Sequence, residues 1–173
     1  MRRKIDKEML LWKEKRSGKE ALLIDGARRV GKSWIVEEFA KNEYDSYVLI
    51  DFSNTKNSIR RLFIDYEGQM DAFFMHLRLE TGVKLFNRKS LIVFDEIQNF
   101  PKAREAIKYL VKDGRYDYIE TGSLISIKEN VKDIVIPSEE RHLNMYPLDF
   151  EEFAWALGED MLFECIRSCF IKR

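Results

Sequence analysis

Eight residues limit the architecture of this chain more than any others. Positions 26–33 read Gly-Ala-Arg-Arg-Val-Gly-Lys-Ser and satisfy the spacing G-x-x-x-x-G-K-[ST] throughout. They stand directly after the short apolar run ALLID at 21–25 and directly before a helical stretch at 32–41. The residue types follow from the chemistry of phosphate binding. Gly26 and Gly31 reach backbone angles that other residues resist, so successive N–H groups can converge on an anion. The N-terminus of the following helix adds partial positive charge. In such a loop Lys32 reaches the β- and γ-phosphates, and the Ser33 hydroxyl is a Mg²⁺ ligand. By chance the octet arises on the order of once in a hundred chains of this length. Its strand and helix context lowers that figure further. The nucleotide-binding set is therefore Gly26, Ala27, Arg28, Arg29, Val30, Gly31, Lys32, Ser33 and Trp34. Arg28 and Arg29 are given no catalytic role.

The rest of the chain alternates in the manner of an α/β protein. Apolar runs at 47–52, 90–96, 116–123 and 142–148, the last cut short by Pro147, read as strands after the one at 21–25. Between them lie helical segments: 5–16, with Ile5, Met9 and Trp12 on one face; 70–80, closed by Gly82; and Pro101 to Gly114. A further helix spans 149–157, capped by Asp149, with Phe150, Phe153 and Leu157 on a shared face. This order predicts a mainly parallel five-stranded sheet covered on both faces, a three-layer αβα sandwich. Ligands of such sheets gather beyond the C-terminal ends of the strands.

Two further strand ends carry polar groups. After LIVF come Asp95 and Glu96. Asp95 is the candidate for the Mg²⁺ shell, and Glu96 the candidate general base that orients and activates water. Successive strand residues point to opposite sides, so adjacent carboxylates can serve different partners. The run 116–123 ends in Thr121-Gly122-Ser123. Either hydroxyl is placed to donate to a γ-phosphate or to the attacking water, with Ser123 favoured; a plain turn is the alternative. Arg141, before the last strand, has two readings: a sensor of nucleotide state and transition-state charge, or an ordinary surface arginine.

Composition narrows the partners. The 173 residues include 30 basic and 30 acidic side chains, so no net field draws the chain to nucleic acid or an anionic membrane. Arg2, Arg3, Lys4, Lys13, Lys15 and Arg16 are the candidates for a local basic patch, against a solvated helix face. No run approaches 18 apolar residues, and the N-terminus lacks an apolar signal core, so a cytoplasmic location is expected. Cys165 and Cys169 sit at i and i+4 without zinc spacing and read as small core or interface residues. No Asn-Lys-x-Asp sequence is present, which disfavours guanine nucleotides. Glu96 disfavours a small-molecule kinase, which has no need of a base for water.

Taken together, GARRVGKS, LIVFDEIQNF, TGS and an Arg followed by PLDFEEF resemble the AAA-type P-loop ATPase domain of a large bacterial and archaeal group. Members usually carry an additional C-terminal domain of unknown function. The segment Pro147, Leu148, Phe150, Glu152, Phe153 is the most particular to that group. The resemblance implies strand order 5-1-4-3-2, Lys32 and Ser33 on phosphate and Mg²⁺, Asp95 on Mg²⁺, Glu96 as base and Ser123 as polar sensor. Where members have Gly-Arg, this chain has Glu140-Arg141. It implies an ATPase domain over residues 1–158, with 159–173 beginning a further C-terminal region. The expected ligands are ATP or ADP with Mg²⁺. ATP hydrolysis is the first expectation, and a nucleotide-gated interaction module with little turnover the alternative. The apolar end, residues 161–171, is expected to promote self-association or to meet a C-terminal domain or protein partner.

Overall fold

The computed structural model describes residues 2–123 and 138–171; 1, 124–137 and 172–173, which belong to the domain assignments above, lie outside the described residues. Five strands form one sheet: β1 (Ala21–Gly26), β2 (Ser46–Asp51), β3 (Ser90–Asp95), β4 (Asp117–Ser123) and β5 (Glu140–Met145). Their order is β2-β3-β4-β1-β5, and every pairing is parallel. This is the expected order 5-1-4-3-2 read from the other edge. β4 lies between the phosphate-loop strand and the acidic strand.

Burial explains why these runs are strands. Every residue of β1, β3 and β4 is buried, as sheets covered on both faces require. Alternate residues feed two apolar layers. Leu22, Ile24, Leu91, Val93 and Ile119 pack with α1 (Ile5–Arg16) and α2 (Lys32–Glu43). Leu23, Ile92, Phe94 and Tyr118 pack with α3 (Asn57–Asp65), α4 (Met70–Thr81) and α5 (Pro101–Asp113). The inner face of α1 is Ile5, Met9 and Trp12, the apolar set read from its spacing. Burying each such side chain contributes about 1.5–3 kcal/mol. On the opposite layer Phe52, Phe63, Phe73, Phe94 and Phe100 form a linked aromatic cluster.

Boundaries depart from the sequence reading where charge masks a strand. β5 starts at Glu140, two residues early, because the Glu140 carboxylate is buried against Arg104 of α5 at 2.6 Å. It ends at Met145, before Pro147, the residue read as cutting it short. A 3₁₀ turn, Ile97–Asn99, follows β3 and has no clear signal in the sequence.

After β5 come α6 (Phe150–Ala156) and α7 (Asp160–Ile171). Asp149 caps α6 in a full capping box: its carboxylate accepts from Glu152 N–H at 2.9 Å, and the Glu152 carboxylate accepts from Asp149 N–H at 3.2 Å. Phe150, Phe153, Leu157 and Met161 are exposed, so the apolar face of this helix pair is turned to solvent. Cys165 and Cys169 are exposed as well, which corrects the core half of their core-or-interface reading.

The basic run at the N-terminus is not a free patch. Arg3 is buried; its guanidinium pairs with Glu152 at 3.1 Å and donates to the carbonyls of Val30 and Tyr146. Lys4 pairs with Asp149 and Glu151, and Lys13 with Glu43.

Candidate functional site

The C-terminal ends of β1, β3 and β4 meet at one place, and the loop of residues 26–33 leaves from it. Two glycines are required there. A Cβ on Gly26 would lie 2.1 Å from the carbonyl oxygen of Met145, so the backbone of β5 can pass only because no side chain intervenes. Gly31 opens α2 with φ of 93°. Arg29, also in the loop, adopts φ of 64°, a left-handed conformation that is strained for a side chain of its kind. Ala27, Arg28 and Arg29 are exposed and Val30 is half-buried.

Lys32 folds back into its own loop. Its ammonium is buried and donates to the carbonyls of Gly26 at 3.1 Å and Ala27 at 2.7 Å. Burial lowers its proton affinity below the ordinary lysine value; the carboxylates of Glu96, Asp95 and Asp25 oppose that shift. Ser33, one residue on, donates its hydroxyl to Asp95 Oδ1 at 2.9 Å. The first turn of α2 and the tip of β3 are thereby joined.

Thr121 of β4 is fully buried and also donates to Asp95 Oδ1. Its oxygen in turn accepts the backbone N–H of Glu96 at 3.3 Å. Glu96 leaves the strand with φ of 52°, and its carboxylate accepts from the Gln98 side-chain amide. Ser123 stands in register with Gly26; it is buried, and its hydroxyl has no hydrogen-bond partner among the described residues.

The donor set suits a hard, oxygen-seeking cation beside a phosphate. One hydroxyl and one carboxylate oxygen lie in contact, and no group of three or more His, Cys, Asp or Glu side chains among the described residues could hold a metal alone. Mg²⁺ is commonly held by one or two carboxylates together with substrate phosphates. The loop's glycine-dependent backbone and the Ser123 hydroxyl, without a partner among the described residues, fit a phosphate in the same way.

Two residues of the sequence reading lie apart from this centre. Arg141 pairs in register with Leu22, whereas Gly26 pairs with Met145. Four residues of strand, about 13 Å, separate it from the loop. Trp34 is half-exposed on α2, lining a groove of about 190 Å³ with Asp6 and Leu10 of α1. His142 of β5 lies 3.0 Å from the Glu140 carboxylate, and His76 stacks on Tyr66; neither joins the site.

Sequence reasoning missed Arg3, Gln98 and the position of Thr121. Arg3 sat in a run of charges with nothing to single it out. It lines a groove of about 410 Å³ with Ile5, Leu143, Met145 and Tyr146, joined to the loop by its bond to Val30. The Gln98 signal was present, since it follows Glu96 by two residues, but only the 3₁₀ turn turns the amide back.

A family model described as AAA domain matches residues 18–154. No curated protein matches the chain. Among solved structures, that of C. elegans PCH-2 is similar over 94% of this chain, at 13% identity and a TM-score of 0.41. The match covers 43% of the PCH-2 chain, so this chain spans less than half its length.

Proposed function

Because this chain belongs to the AAA domain family of nucleotide-binding ATPases, we propose that it binds ATP together with Mg²⁺ and hydrolyses the nucleotide. The observation that carries this reading is the 2.9 Å contact between Ser33 of the loop and Asp95 of the acidic strand. It brings a phosphate cradle and a metal-holding carboxylate to one point, with Glu96 next in the chain.

In this reading the loop backbone from Gly26 to Gly31 receives the phosphates, and Lys32 exchanges its loop carbonyls for phosphate oxygens. Ser33 and Asp95 hold Mg²⁺, which, when bound, neutralises charge that develops on the phosphate oxygens. Glu96 orients the attacking water and takes its proton. Ser123 donates its hydroxyl, which has no partner among the described residues, to the γ-phosphate or to that water. The groove beside Arg3, Ile5, Met145 and Tyr146 adjoins the loop and offers apolar and backbone surface for the base.

A second reading is favoured by two specific observations: a module that binds ATP and turns it over slowly. The Glu96 carboxylate is engaged by Gln98, and Arg141 is a strand's length from the loop. Transition-state charge would then go without Arg141, and an arginine from a partner is one source that could replace it. The exposed face of α6 and α7 is where a second copy or a further domain would pack, and sedimentation at rising concentration tests self-association.

Calorimetry with Mg-ATP and phosphate release on the same protein separate the two readings. Binding with release that Glu96→Gln abolishes, and binding that Lys32→Ala abolishes, are the outcomes expected of an ATPase. Binding without release supports the slow module. Full turnover in Glu96→Gln removes Glu96 as the base.

A further inference from the structure

Thr121 has a hydroxyl with one proton and two neighbours that fix where it goes. The Asp95 carboxylate accepts only, so Thr121 must donate to it. The backbone N–H of Glu96 donates only, so the same oxygen must accept from it. The side chain is β-branched and fully buried, which restricts its rotamer. One oxygen therefore links a carboxylate at the tip of β3 to the backbone of the next residue, whose φ of 52° a non-glycine side chain resists.

Ser123, two residues on, differs on this point. Its hydroxyl has no partner among the described residues, whereas both capacities of Thr121 are used within the protein. The two hydroxyls of the Thr-Gly-Ser tip thus have separate roles.

We propose that Thr121 is a positioning residue that sets the acidic pair: it orients the Asp95 carboxylate toward Ser33 and pins the Glu96 backbone in its left-handed turn. This deepens, and rests on, the ATP and Mg²⁺ reading of the site. Asp95 Oδ1 receives two hydroxyl donors, from Ser33 and Thr121. When the Ser33 hydroxyl turns to a metal, the Thr121 bond is the one that keeps the carboxylate in place. Together with the Gln98 contact it holds Glu96 at both its backbone and its carboxylate.

The test uses Thr121→Val, which keeps shape and removes the hydroxyl, Thr121→Ala as a smaller alternative should valine disturb folding, and Thr121→Ser, which restores the hydroxyl. Two readouts are taken. The first is the hydrogen-exchange rate of the Glu96 amide in the nucleotide-free protein. The second is the ratio of ATP affinity with Mg²⁺ to ATP affinity with a chelator present. Loss of a hydrogen bond to a charged group predicts about a tenfold or greater change. Val and Ala should shrink the Mg²⁺ ratio by that factor and speed Glu96 exchange about threefold or more, as the loss of a neutral bond predicts, leaving chelator affinity within about twofold; Ser should stay close to wild type. The proposal is overturned if Val and Ala leave Glu96 exchange unchanged, if the Mg²⁺ ratio holds, or if Ser behaves like Val. Absence of any ATP binding by the wild type would instead sink the ATP reading, and the exchange readout would still decide whether Thr121 pins Glu96.

Discussion

At the scale of single residues, three neighbouring side chains of the β4 and β3 tips are distinguished by their hydrogen bonds. Thr121 is spent inside the protein, Glu96 is held by Gln98, and Ser123 is free among the described residues. A buried hydroxyl without a partner is costly, on the order of 1–3 kcal/mol, unless a ligand meets it. Ser123→Ala is therefore expected to leave the fold as stable as wild type or slightly more so. It should slow phosphate release about tenfold with little change in ATP affinity. Single-turnover phosphate release and calorimetry check this, and a large loss of affinity would refute a sensor role. The types of residue at these strand ends were legible in the sequence, because the glycines, the lysine, the hydroxyl and the carboxylate stand at set spacings within short windows. Which hydroxyl of Thr-Gly-Ser faces which partner was not, because both alternate to the same side of the strand and only depth in the sheet separates them.

At the scale of elements, α6 shows how a local signal acquires a distant function. Asp149 reads as a cap in the sequence, and the structure completes it into a capping box with Glu152. Glu152 does more than cap. Its carboxylate also receives the buried Arg3 guanidinium at 3.1 Å and the Lys4 backbone N–H at 2.7 Å, which fastens the N-terminal segment to α6 across the end of β5. Asp149 and Glu152 substitutions should consequently differ. Asp149→Ala removes one cap at a cost of about 1 kcal/mol. Glu152→Ala leaves a buried arginine unpaired and should cost about 3 kcal/mol or more. Urea unfolding of the two variants measures the order, and equal losses would mean that the Arg3 contact adds nothing. That contact spans 149 positions in sequence, so no window of residues could display it.

At the scale of the whole molecule, the half of the sheet nearest β5 carries an unusual load of buried charge. Arg104 of α5, Glu120 of β4 and Glu140 of β5 are all buried, with Asp25 and His142 beside them. Burial, reinforced by the nearby Glu140 charge, raises the Glu120 carboxyl well above its ordinary value, with Arg104 opposing. Glu140 is also penalised by burial, but Arg104 prevails and holds it below its ordinary value. The signs are opposite. Glu120 binds its proton more tightly folded than unfolded, so its contribution to stability is present below the unfolded value of 4.5 and is lost as pH rises toward the folded one. Glu140 contributes above its unfolded value and is lost as pH falls through the folded one. Glu120→Gln, which cannot ionise, should therefore be more stable than wild type at pH 8, with the difference narrowing toward pH 5. Urea midpoints across that range check it, and a difference that is constant or reversed would exclude an ionising Glu120.

The sequence by itself determined the alternation of strands and helices, the phosphate loop, the acidic strand end and, through its resemblance, the strand order. Apart from the strand order, these depend on local physics: continuous apolar runs for strands buried on both faces, period-3.6 apolar faces for helices, and backbone angles that favour glycine at Gly26 and Gly31. Only the tertiary structure decided that Arg3 is buried, that β5 opens with a buried Glu140, that Arg141 lies away from the loop, and that Thr121 joins Asp95 to Glu96. Each of these depends on which distant residue fills the neighbouring space. A charged side chain shows the same letter whether water or an opposite charge surrounds it, and only the packed sheet supplies that difference.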